Sequence, residues 1–163
     1  MHSLVINTGP IIALVAATET IEWLPTLYNR ILIPYEVFQE IEAGGPGNPE
    51  ILALSSIKNL VLIGNEKADL PHALLHELDL GEASVIHSAI LNQIDTVAID
   101  EKAGRRLARI NGLKVTGSLG ILLKAKRHGI IPSLGDCITR MRNHGIWIAS
   151  DLVTASLRQA YEV

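Results

Sequence analysis

Four oxygen-bearing residues stand where an α/β chain can carry chemistry: Asn7, Glu40, Glu82 and Asp100. Asp100 closes the apolar segment DTVAID at 95–100. Its carboxylate reads as a metal ligand or general base, or as the N-cap of a helix over 101–111, a position Asp favours. On a helix over 79–93, Glu82 shares a stripe with Ile86, Ala89 and Gln93, next to Ala83 and Ile90. A carboxylate on that apolar face is costly unless paired, hydrogen-bonded or metal-bound. The local alternative is a capping box, Asp79-x-x-Glu82, with Glu82 folded back to the helix start. Glu40 and Glu42 both flank the apolar face set by Val37, Phe38 and Ile41, and periodicity does not choose between them. Asn7 reads as a turn or cap residue, or as a neutral carbonyl ligand that brings no charge.

Beside these oxygens lie cations. Lys102, Arg105, Arg106 and Arg109 recur at helical spacing directly after Asp100. They form either a solvated helix face or a phosphate contact next to the acid. A second basic run, Lys124 to His128, ends another helix, where cations suit the dipole. The six histidines show no HExxH spacing, although His72 and His76 stand four apart. Cys137 is the one cysteine, so neither an internal disulfide nor a cysteine-rich zinc site can form. Gly-rich phosphate loops of the GxGxxG and GxxxxGK[ST] types are absent from the sequence, which leaves nucleotide cofactors unsupported.

The elements that position these residues alternate. Strands are predicted at 3–6, 31–34, 59–64 and 95–100, with a short one in LKVTG at 113–117. Helices are predicted from Pro10, over 18–27, after Pro34, from Glu50, over 79–93, over 101–111 up to Gly112, over 118–128, and at 133–144 and 151–161. GGPGNP at 44–49 is a breaker-rich loop, and 65–78 is polar without clear periodicity. The alternation implies a parallel sheet covered on both faces, with ligands at the strands' carboxyl ends. Asn7 and Asp100 both fall at such ends.

The bulk numbers agree. A chain of 163 residues suits one domain with a real core, 1–163. Aromatics are only 4%, so Ile, Leu, Val and Ala must fill that core. The net charge of −3 excludes a globally basic nucleic-acid coat but not a local patch. MHSLVIN has no basic leader, and no segment approaches the ~20 apolar residues of a membrane span. A cytoplasmic location without membrane contact is the expectation.

The segments LVINTGPIIAL, ILIPYEVFQEI, LDLGEASVIHSAI, DTVAIDEKAGRRLA and LKVTGSLGILLKAKRHG, in this order and spacing, resemble the PIN-domain family of VapC-type toxin nucleases across nearly the whole chain. The LGEA and TGSLGILLKAKRHGIIPS pieces are similar to a PIN-like subfamily of uncharacterised function. The resemblance implies a three-layer α/β/α fold around a parallel sheet, with residues 133–163 as a helical extension packed on it. It implies a Mg²⁺- or Mn²⁺-dependent hydrolysis of RNA phosphodiesters, on single-stranded or structured RNA. By position, the metal set is Asn7, Glu40, Glu82 and Asp100, and the three acids of that set are the catalytic residues. Thr8 matches a small polar position, and Ser118 a hydroxyl position for which Thr116 is a rival. With Lys102, Arg105 and Arg106 these would contact substrate. An antitoxin protein and a homodimer are further implied partners. Leu152, Val153, Leu157 and Tyr161 in the terminal helices offer an extra packing or dimer surface, or simply cover the sheet. The departure is Asn7, where the family carries an acid: one charge fewer predicts weaker metal binding. It gives weight to an alternative, a catalytically weak or inactive module that binds RNA or protein. A third reading, an unrelated phosphate-binding or signalling domain, predicts that Glu40, Glu82 and Asp100 do not converge.

Overall fold

The computed structural model describes residues 2–163. Short apolar runs form five strands: β1 (Ser3–Ile6), β2 (Arg30–Ile33), β3 (Leu62–Ile63), β4 (Thr96–Ala98) and β5 (Lys114–Thr116). They make one sheet in the order β3-β2-β1-β4-β5, and every pair is parallel. Leu4, Val5 and Ile6 are fully buried in the central strand, with Val5 opposite both Leu32 and Val97. A strand buried on both faces reads as an unbroken apolar run, which is why LVI does not alternate.

Helices occupy the connections. Between β1 and β2 lie α1 (Thr8–Thr18) and α2 (Leu24–Leu27); between β2 and β3, α3 (Tyr35–Glu42) and α4 (Pro49–Ile57). Then come α5 (His72–Leu75), α6 (Leu80–Leu91), α7 (Lys102–Ile110), α8 (Ser118–Arg127), α9 (Leu134–Asn143) and α10 (Ser150–Gln159). They flank the sheet in a three-layer arrangement. Helices α1, α8 and α9 pack together, whereas α3 packs with α6, and α6 lies on β1 and β4. Helix α6 therefore has neighbours on most sides, and Gly81 to Ile86 are all buried. Each fully buried Ile or Leu contributes about 1.5–3 kcal/mol by leaving water.

The strand order reverses between β1 and β4. From there the chain winds outward, through β2 to β3 and through β5. A crevice opens at such a point outside the carboxyl ends. Asn7 follows β1 directly and is the N-cap residue of α1; its N–H donates to the Ala98 carbonyl at 3.1 Å, tying the two strand ends together.

Several elements differ from the sequence expectation. The helix expected over 18–27 is only α2, because α1 runs on to Thr18 and stops at Glu19, whose φ of 65° is left-handed. Thr18 Oγ1 then accepts from the Trp23 indole and holds the turn. The strand expected over 59–64 pairs only at Leu62 and Ile63, on the sheet edge. Within 65–78 a one-turn helix, α5, forms. Asp100 is not the N-cap of α7; Glu101 holds that position. In the C-terminal helices Val153 is buried and Leu157 packs against the core, while Leu152 and Tyr161 are exposed. No helix among the described residues is long and apolar enough to cross a membrane.

Candidate acidic site

Asn7, Thr8, Glu40, Asp79 and Glu82 come together around the start of α6. The contact point is Gly81. A Cβ there would stand 2.9 Å from Glu40 Oε2, 3.2 Å from Asn7 Oδ1 and 3.4 Å from Asp79 Oδ1. Only a residue without a side chain lets three oxygens approach the helix this closely. Glu40 is fixed from the other side, where the Thr8 hydroxyl donates to its Oε2 at 2.9 Å. Its rival Glu42 instead accepts from the Gln39 amide on the exposed face of α3. Asn7 is 6% exposed, makes no cap bond with its side chain, and leaves Oδ1 buried without a partner.

Glu82 is equally buried, at 6% exposure. One bond of the capping box is present: the Asp79 carboxylate accepts the Glu82 N–H at 2.8 Å. One oxygen is left over. Oε1 has no hydrogen-bond partner and faces α7, where a Cβ on Gly104 would stand 2.8 Å away. Burial pushes the Glu82 carboxyl above its ordinary range. The Asp79 charge adds to the rise, the Asp79 N–H offsets part of it, and Glu101 and Glu40 add further. Glu101 lies three residues before Gly104, on the side of α7 that meets Glu82.

Asp100 lies one strand over and is already engaged. Its Oδ1 accepts the Ser118 N–H at 2.8 Å and the Ser118 hydroxyl at 3.2 Å, at the start of α8. It thus satisfies a free N–H at the N-terminus of a helix distant in sequence. Ser118 is buried, while the rival Thr116 hydroxyl reaches only the Gly117 carbonyl, at 3.4 Å. The Arg105 guanidinium donates to the Ile99 carbonyl at 2.8 Å. Burial and then Arg109 lower its pKa, against the pull of Asp100.

The basic stripe divides accordingly. Arg105 turns inward, Arg106 pairs with Glu77, and Lys102 and Arg109 are exposed. The second run is structural: Lys124 covers the Tyr28 ring at 4.1 Å, and Lys126 pairs with Glu162 at 3.2 Å. Sequence reasoning gave Asp79 only a capping role and passed over Glu101. The signal for Glu101 was its place immediately after a strand-end acid. Among the described residues, no three His, Cys, Asp or Glu side chains are grouped so as to hold a metal ion. The oxygens that do converge include an amide and a hydroxyl.

The parallel sheet, its switch point and the acidic edge agree with one family. The DUF3368 family model, described as a PIN domain, matches residues 3–162. This chain belongs to the PIN-domain family. No curated protein matches it. The PIN domain is a nuclease-type fold, and its members generally use divalent metal ions. The residues here fit such an ion in donor type: Asn7 Oδ1, buried without a partner, lies with Glu40 and Asp79 at Gly81, and the second unpartnered oxygen, Glu82 Oε1, faces α7 at Gly104. All are hard oxygen donors, the type Mg²⁺ and Mn²⁺ take.

Proposed function

We propose that this PIN domain is a metal-dependent ribonuclease that hydrolyses RNA phosphodiester bonds at the Gly81 edge. The observation that carries the reading is the pair of orphaned buried oxygens, Asn7 Oδ1 and Glu82 Oε1. Buried polar atoms are nearly always partnered, and an exception calls for an explanation, of which a bound ion is one. Asn7, Glu40 and Glu82 would hold Mg²⁺ or Mn²⁺, with Glu101 or Asp100 contributing from the neighbouring strand end. A bound divalent cation polarises a phosphoryl oxygen and lowers the pKa of water. The chain's own residues prepare the setting. Thr8 orients Glu40. Glu82, held toward its protonated form by burial, is an acid whose charge becomes favourable once a cation is near. Lys102 and Arg109, exposed on α7, are available to RNA phosphates.

The test is a Mn²⁺ titration of the full chain, read by thermal shift and by cleavage of a broad single-stranded RNA panel. Stabilisation by Mn²⁺ of about 2.7 kcal/mol at a hundredfold excess over Kd is expected, with cleavage that Glu82→Gln and Asp100→Ala remove. Metal-free RNA binding with no cleavage of any panel member would sink the nuclease reading. That outcome favours the second reading, a binding module, which Asn7 in place of an acid supports. The sequence resemblance to VapC-type toxin nucleases extends the proposal to a toxin role with an antitoxin partner; growth arrest on expression, abolished by Glu82→Gln, would bear it out.

A further inference from the structure

Next to the acidic edge lies an open groove of about 840 Å³ between α3, the 65–78 segment and the start of α6. It shares Glu40, Asp79 and Gly81 with the candidate site, so anything in it lies beside whatever those oxygens hold. Its volume falls in the range of small-molecule sites. Tyr35 offers an aromatic ring, and Leu75 and Leu80 are partly exposed apolar walls. The segment is tied down, because the Ala68 N–H donates to Glu36 Oε1 at 2.7 Å. That leaves the second Glu36 oxygen free to accept. Gln39 donates to Glu42, which likewise leaves its own carbonyl oxygen available. The groove is therefore apolar and aromatic on its walls and rich in acceptors, with Lys67 its one cation.

We propose that this groove is a nucleobase subsite, and that it selects bases carrying an exocyclic amino group. The inference rests on the ribonuclease reading of the adjacent edge. The chemistry favours a base over a backbone: the carboxylates Glu36, Glu40 and Asp79 repel phosphates, whereas a flat base stacks on an aromatic ring and an apolar wall. Carboxylate and amide acceptors take hydrogen bonds from the amino groups of adenine, cytosine and guanine. Uracil has no amino group. Bases entering here would fix which phosphodiester reaches the acidic edge.

The test uses the full chain in metal-free buffer with four neutral nucleosides, so that neither a cation nor a phosphate is needed. Amide NMR shifts are followed at Tyr35, Gln39 and Leu80. Adenosine, cytidine and guanosine are expected to produce saturable shifts there, with uridine several-fold weaker. Tyr35→Ala should weaken binding about tenfold, the scale of one lost stacking contact. Gln39→Ala, at an exposed position, gives a second variant that leaves the core intact and should narrow the margin over uridine. Shifts that map elsewhere, equal binding of uridine, or indifference to both variants would overturn the subsite. So would shifts produced by a basic amphipathic peptide and by no nucleoside, which would mark a protein-docking groove. Nucleoside binding here without any RNA cleavage would overturn the nuclease reading and leave the subsite standing.

Discussion

Glu82 and Glu162 each lie beside the start of a helix with little exposure, at opposite ends of the chain's chemistry. Glu162 reaches the first turn of α9, where it accepts the Leu134 N–H at 2.7 Å, the Gly135 N–H at 2.8 Å and the Ser133 hydroxyl at 3.2 Å. Lys126 pairs with it as well. Burial alone would raise its pKa, but the Gly135 and Leu134 N–H groups and Lys126 outweigh that and hold it low. Glu82 has the reverse balance: burial and three neighbouring acids hold it high, against one N–H. A carboxylate kept for structure is surrounded by donors. One kept charge-poor among other acids has an oxygen left over, and the proposed metal site rests on that oxygen.

The comparison breaks most visibly at Glu162. Glu162→Ala would leave two helix N–H groups and Lys126 without their acceptor, at a cost of about 1–3 kcal/mol, measured as a fall in the urea midpoint. Metal response should be unchanged. Glu82→Gln should act in the opposite sense. Removing a buried charge among acids is expected to raise metal-free stability by about 0.5–2 kcal/mol, while Mn²⁺ no longer raises Tm. A loss of stability in Glu82→Gln would mean that its carboxylate is a satisfied structural group after all.

The two carboxylates also predict opposite pH behaviour. Glu162 has a folded pKa below its unfolded value. Its contribution is present above the ordinary carboxylate range and lost as pH falls through the folded value. Glu82 has a folded pKa above its unfolded value, so the folded state holds the proton more tightly. Stability falls as pH rises between the two values, and the cost persists above them. The gain in Glu82→Gln should therefore be largest near neutrality and shrink in acid. The loss in Glu162→Gln should shrink in acid too, but from the other side. Urea midpoints from about pH 3 to 8 check both curves.

Asn7→Asp is the finer probe. It adds a charge beside Glu40 and Gly81 and should slightly lower metal-free stability by like-charge repulsion. A unit charge at 4 Å is worth ~1–4 kcal/mol across the water-like to protein-surface range. Mn²⁺ affinity should rise at least about fivefold on that scale, measured by calorimetry. An unchanged affinity would make Asn7 a turn residue beside the site, not a member of it.

Much of this was legible in the linear chain. LVI and ILI are buried strands because nothing polar interrupts them, and Pro34 and Gly112 mark helix limits by their backbone chemistry. Glu82 could be placed on an apolar face from its spacing alone. Glu40 could not be separated from Glu42, because both flank the same helix stripe; Thr8, far away in sequence, makes the choice. Nor could Asp100 be separated from Glu101. A local cap is the expected partner of a strand-end acid, yet Asp100 caps α8 across the sheet and leaves the α7 start to its neighbour.

The sequence by itself determined the alternation of strands and helices and the apolar core. These follow from local periodicity and backbone preference. Only the tertiary structure decided which oxygens are satisfied. Gly81 brings Asn7, Glu40 and Asp79 together, Gly104 lets Glu82 approach α7, and Ser118 engages Asp100. Partnership of a polar atom depends on residues distant along the chain, so no reading of spacing reveals that Asn7 and Glu82 each keep a buried oxygen free.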